Sequence, residues 1–108
     1  EEFTKGAKIE YDVEAAYKNA DFIYAKNWSK FRDPDYGKVV NKDRNWTVDA
    51  RKMKLTNNAK FMHCLPVRRN MIVTDEVIES PDSIVIPEAA NRVVSAQVVL
   101  REILKSIT

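Results

Sequence analysis

Lys26, Arg68 and Arg92 are cations that each follow a run of apolar, strand-forming residues, and His63-Cys64-Leu65-Pro66 lies between the first of them and the other two. In an open parallel sheet, ligands bind beyond the carboxyl ends of the strands, so these positions fall on one edge. Converging cations of this kind suit an anionic ligand with more than one negative group. Lysine and arginine are also ordinary residues of solvated loops, and spacing alone does not separate the two readings. His63 and Cys64 are neighbours, and adjacent strand residues point to opposite faces, so His63 is badly placed to activate Cys64 as a nucleophile. By residue type, His63 reads as a hydrogen-bonded structural residue and Cys64 as a small buried apolar one. No other residues supply zinc ligands at workable spacing, so no metal is expected. Gly6 and Gly37 are the only glycines, which excludes a dinucleotide-binding fingerprint and a Walker loop.

The elements that would carry these residues can be read from spacing. Lys8 to Tyr11 reads as a short strand. Asp12 then caps a helix with Val13, Ala16, Tyr17 and Ala20 on its buried face. Phe22 to Lys26 is an almost unbroken apolar strand, as where both sheet faces are covered. The polar stretch from Asn27 to Asn45, with its Asp33-Pro34-Asp35-Tyr36-Gly37 turn, is long enough to be a functional loop. Thr47 to Thr56 reads as helical and Asn57-Asn58 as its left-handed stop. Lys60 to Leu65 is the next strand. Thr74 caps a helix running to Glu79, Ser83 to Ile86 forms a fourth strand closed by Pro87, and a last helix runs from about 88 to 107. Strands alternating with helices predict an α/β fold, part of a doubly wound parallel sheet with a long C-terminal helix. On that helix Val93, Ala96, Leu100, Ile103 and Ile107 form one apolar stripe, while Val94 and Val98 lie off it. A second contact surface is therefore expected, supplied by a missing domain or another subunit.

Composition bounds the rest. With 108 residues the chain is one domain or part of one, and 44% apolar content argues against a disordered tail. The net charge of +2 comes from 18 basic residues interspersed with 16 acidic ones, which gives no reason to expect nucleic acid as a partner. No apolar run approaches the roughly 20 residues that span a bilayer, so no membrane partner is expected. The single cysteine forbids an intrachain disulfide and points to a reducing compartment. The start at Glu1, without a signal-like region or an initiator Met, suggests a piece of something longer.

His63-Cys64-Leu65-Pro66 with Val67-Arg68-Arg69-Asn70, then Thr74-Asp75-Glu76-Val77 and Glu88-Ala89-Ala90-Asn91-Arg92, resembles the C-terminal portion of the ornithine-type carbamoyltransferases. Ala25-Lys26-Asn27-Trp28 stands where ordinary ornithine enzymes carry a Ser-Met-Gly loop. It is similar instead to the branch acting on N-acylated ornithine, as are Arg51-Lys52-Met53 and Leu55-Thr56-Asn57-Asn58. Acetylornithine enzymes have a lysine where this chain has Ile72, and that departure favours the succinylornithine enzymes, with acetylornithine second.

The resemblance covers essentially the whole chain, as the C-terminal part of an acylornithine-binding domain. It implies that a carbamoyl phosphate-binding domain and a proline-rich acyl-selecting loop lie outside, so this segment alone is not expected to catalyse anything. It further implies a carbamoyl phosphate-dependent transfer to the δ-amine of N-succinyl-L-ornithine, without metal or organic cofactor, in a cytoplasmic homotrimer. Under it Arg92 meets carbamoyl phosphate, and Cys64 with the Leu65 carbonyl sits beside the carbamoyl group and the amine. Lys26 holds the α-carboxylate, Arg68 holds the distal succinyl carboxylate, and His63 supports from behind. A cis Leu65-Pro66 bond is expected, because exposing that carbonyl needs a sharp turn. The rival reading is a non-catalytic assembly module that uses the sheet edge only for packing.

Overall fold

Phe22-Ile23-Tyr24-Ala25 and Lys60-Phe61-Met62-His63 are short apolar runs rich in β-forming side chains, and in the computed structural model they pair in parallel. The structure describes residues 5–28, 32, 34–36, 38 and 44–108. Element order is α1 (Val13–Tyr17), β1 (Phe22–Ala25), a 3-10 turn (Arg44–Trp46), α2 (Ala50–Met53), β2 (Lys60–His63), α3 (Asp75–Ile78) and α4 (Val85–Ile107). The register sets Ile23 beside Phe61 and Ala25 beside His63. Phe61, Val48, Val73, Val77, Ile78 and Val85 form the core, packed by Ile23, Ala25 and Tyr17. The fold class is as expected: α/β, with a parallel sheet and a long C-terminal helix.

Several elements differ from the expectation, each for an identifiable reason. Lys8 to Tyr11 forms no strand; Ile9 and Tyr11 are exposed, and the Glu10 carboxylate takes both the Asp12 amide and Lys8. Asp12 caps α1 as expected, accepting from the Ala15 amide at 2.9 Å. That helix stops before Ala20, because Asn19 turns left-handed (φ 59°) and gives its amide to the Leu55 carbonyl. Helix α2 is shorter than 47–56, because Val48 bridges Val73 and Asp49 takes the N-cap. The stop at Asn58 is left-handed (φ 50°) as expected. Thr74 stands at the N-cap of α3, but its hydroxyl makes no capping bond; the Asn70 side-chain Oδ1 accepts the Asp75 amide instead.

The fourth strand is reduced to a single bridge between Ser83 and Phe61. The Phe61 amide donates to the Asp82 carbonyl and its carbonyl accepts from the Ile84 amide, and α4 begins directly afterwards. Pro87 therefore sits in the first helical turn, where its missing N–H has no intrahelical partner to lose, and it does not close a strand. The last helix thus starts at Val85, earlier than the expected 88. From Ala89 onward every residue of it is exposed, so the Leu100 stripe is as uncovered as Val94 and Val98. β1 is likewise open on one face, with Phe22 and Tyr24 exposed, against the expectation of two covered faces. Much of the expected 27–45 loop lies outside the described residues. Among the described residues no helix is long and apolar enough to cross a membrane.

Candidate active site at the carboxyl end of the sheet

The two strands end side by side at Ala25 and His63, and the chain leaving β2 turns at once. Leu65 takes a left-handed backbone (φ 45°), and the Leu65–Pro66 peptide is cis, as expected. A non-glycine residue at positive φ costs free energy and persists where its surroundings hold it. The hold here is the His63 imidazole, whose Nδ1 accepts the Leu65 amide at 2.9 Å. Asn27, just past β1, adds a longer bond from Nδ2 to the Pro66 carbonyl, 3.4 Å.

His63 is buried, with 1% of its surface exposed. Burial lowers its pKa, and the nearby Glu88 carboxylate opposes that shift. Because Nδ1 is an acceptor, the proton of the neutral ring is on Nε2, which is buried without a partner among the described residues. Cys64, by contrast, is exposed, so the sequence reading of a buried cysteine is corrected. The reason is the turn: Cys64 follows the last strand residue and faces away from the core that His63 enters.

Glu88 and Tyr24 were not singled out as site residues in the sequence, and both belong to this edge. The Glu88 carboxylate accepts the His63 amide at 3.0 Å. The pKa of Tyr24 is raised, by desolvation first and by Cys64 and Glu88 after it. Strand alternation was the available signal for Tyr24, since it pairs with Met62 and so shares the sheet face that Cys64 continues.

The three cations are placed differently. Lys26 follows β1 and is exposed. Arg92 is exposed on α4, one turn beyond Glu88 and therefore on the same helix face. Arg68 donates from Nη1 to the Lys38 carbonyl at 3.0 Å, joining the turn after β2 to the 27–45 stretch. The structure thus brings Tyr24, His63, Cys64, Leu65 and Glu88 together, with Lys26 leaving from the adjacent strand end.

Residues 1–103 match the family model for the Asp/Orn binding domain of aspartate/ornithine carbamoyltransferases. The chain belongs to the aspartate/ornithine carbamoyltransferase family. Among members of that family it is 61% identical, over 98% of its own length, to the N-succinylornithine carbamoyltransferase of Bacteroides thetaiotaomicron, of which it covers 33%. It is 43% identical, over 79% of its length, to the N-acetylornithine carbamoyltransferase of Xanthomonas campestris pv. campestris, of which it covers 26%. A solved N-acetyl-L-ornithine transcarbamylase, a glutamate-to-proline variant complexed with carbamyl phosphate and N-succinyl-L-norvaline, superposes with a TM-score of 0.65 at 44% identity, over 77% of this chain and 26% of that one. The chain spans about a third of the length of the curated carbamoyltransferases it matches.

Proposed function

We propose that the full-length protein transfers the carbamoyl group of carbamoyl phosphate to the δ-amine of N-succinyl-L-ornithine, giving N-succinyl-L-citrulline and phosphate, within arginine biosynthesis. The observation that carries this reading is the 61% identity to a succinylornithine enzyme against 43% to an acetylornithine one. The neutral amine attacks the carbamoyl carbon to form a tetrahedral oxyanion, the C–O bond to phosphate breaks, and phosphate leaves and can take the released proton. Such a reaction needs no metal or organic cofactor, and the protein's work is positioning and stabilisation of the oxyanion.

In this reading Arg92 follows charge developing on the carbamoyl oxygen. The carbonyl of Leu65 holds the hydrogens of the attacking amine and so aims its lone pair, with Cys64 beside the carbamoyl group. Lys26 binds the α-carboxylate and Arg68 the distal succinyl carboxylate. The chain is the C-terminal part of the acylornithine-binding domain, the carbamoyl phosphate-binding domain lies outside it, and the whole enzyme is a cytoplasmic homotrimer.

N-acetyl-L-ornithine is the alternative acceptor, supported by the resemblance to solved acetylornithine transcarbamylases, one of them complexed with acetylcitrulline. Steady-state turnover of succinylornithine, acetylornithine and ornithine by the full-length enzyme decides between them. The expected order is succinylornithine first by a wide margin; a larger kcat/KM for acetylornithine overturns the assignment.

A further inference from the structure

Glu88 has no part in the roles proposed above, yet its carboxylate is the tie between the end of β2 and the last helix. It sits in the first turns of α4, with its own amide bonded to the Ile84 carbonyl at 2.9 Å and Pro87 immediately before it. Its Oε2 accepts the His63 amide at 3.0 Å, and the His63 imidazole in turn accepts the Leu65 amide at 2.9 Å. The chain of contacts therefore runs from a helix-borne carboxylate, through a fully buried histidine, to a leucine in a left-handed backbone. A hydrogen bond to an ionised acceptor is shorter and stronger than one to a neutral amide, which suits a residue that must hold a strained turn. The same helix carries Arg92 four residues further on.

We infer that Glu88 is a positioning residue whose carboxylate, acting through His63, fixes the Cys64–Leu65 turn relative to Arg92. Resting on the proposed carbamoyl transfer, this makes one side chain set the spacing between the carbonyl that aims the amine and the guanidinium that meets the oxyanion.

The test is made in the full-length enzyme with Glu88→Ala and Glu88→Gln. Alanine removes the acceptor, whereas glutamine keeps a carbonyl oxygen that can still take the His63 amide. Misplacing reacting groups by about 1 Å costs on the order of 100-fold in rate. Glu88→Ala is therefore expected to lower kcat by roughly 10- to 100-fold with KM for carbamoyl phosphate little changed, and Glu88→Gln to recover most of that loss. Amide hydrogen exchange at His63 and Leu65 is read alongside, since it does not depend on activity. It should quicken by about tenfold or more in Glu88→Ala and stay near native in Glu88→Gln.

Native exchange in Glu88→Ala, unchanged kcat, or a defect carried only by KM overturns the inference. If the unmodified enzyme makes no succinylcitrulline, the proposed function falls by itself and the exchange measurement still decides whether Glu88 holds the turn. Where Glu88→Ala does not fold, Glu88→Asp, with its carboxylate one methylene short, supplies the same readouts. Quickened exchange with lowered kcat supports the inference, and native values overturn it.

Discussion

Lys52 Nζ lies 2.7 Å from the carbonyl oxygen of Thr47, and the lysine is only 4% exposed. Its second partner is Asp49 at 3.2 Å, which also caps α2 by accepting the Lys52 amide at 2.8 Å. Burial raises the Asp49 pKa, but the Lys52 amide and ammonium, with Arg51 nearby, more than reverse that and hold it below its usual range. Removing Asp49 would strand a buried ammonium and uncap the helix together. Asp49→Ala is expected to destabilise by about 2–3 kcal/mol, the cap plus part of the cost of an unpaired buried charge. Lys52→Met removes the charge and keeps the volume but leaves the Thr47 carbonyl without its donor, so it should cost about 1–2 kcal/mol, less than Asp49→Ala. Chemical denaturation of the full-length enzyme carrying each change measures both values, and a larger loss for Lys52→Met would contradict the argument.

The buried imidazole predicts a pH dependence of stability. Burial depresses the His63 pKa below the usual 6.5, against the opposing pull of Glu88. The unfolded chain thus binds this proton more readily than the fold does, so the contribution is fully present above pH 6.5 and is lost as pH falls toward the folded pKa. His63→Gln should therefore cost most near neutrality and progressively less in acid. Thermal melts of both proteins between about pH 8 and about pH 5 give the comparison, and parallel curves would refute the assignment.

What could be read in the sequence divides along local and tertiary lines. The Asp12 cap, the Asn58 stop and both β strands follow from residue type over a few positions, whereas the cis Leu65–Pro66 bond is an expectation of the family resemblance. Most elements that depart from that reading are decided by partners far along the chain, whereas 8–11 is held out of a strand by Glu10 and its immediate neighbours. Val48 looks helical among its neighbours, yet its amide and carbonyl are taken by Ile72 and Thr74. Ser83 to Ile86 has the β-branched character of a strand, yet only Ser83 finds a ladder partner before the helix claims Val85. At the site, His63 and Cys64 stand out by type, whereas Tyr24 and Glu88 acquire meaning only when the strand end and helix start meet. Cys64 has the residue type of a buried position, yet the turn that follows β2 leaves its thiol outside.

Helix α4 leaves Val93, Val94, Leu100, Ile103, Leu104 and Ile107 each at least 50% exposed. An apolar surface of that extent drives association. The 108-residue segment expressed alone is expected to self-associate, and Leu100→Glu with Ile103→Glu should shift it toward smaller species. Sedimentation velocity over a range of concentrations reads the distribution. A monodisperse, cooperatively melting monomer of the unaltered segment would contradict the expectation.

Arg68 offers the sharpest test of acyl recognition. A succinyl group differs from an acetyl group chiefly by a second carboxylate, and a planar guanidinium can meet it with two parallel hydrogen bonds. Arg68 lies three residues beyond Leu65 and is half-buried. Arg69 is committed elsewhere, forking to Asp75 at 3.0 Å and to Glu79. The Arg68 bond to the Lys38 carbonyl, 3.0 Å, is one that a substrate carboxylate could replace with a charged and stronger acceptor. Arg68→Ala in the full-length enzyme should weaken succinylornithine use by about 1.5–3 kcal/mol in kcat/KM, the range for losing a hydrogen bond to a charged group. Carbamoyl phosphate affinity should be nearly unchanged, and acetylornithine use should fall less than succinylornithine use. If succinylornithine kinetics survive while carbamoyl phosphate binding collapses, Arg68 serves the phosphate side and the roles of Arg68 and Arg92 are exchanged.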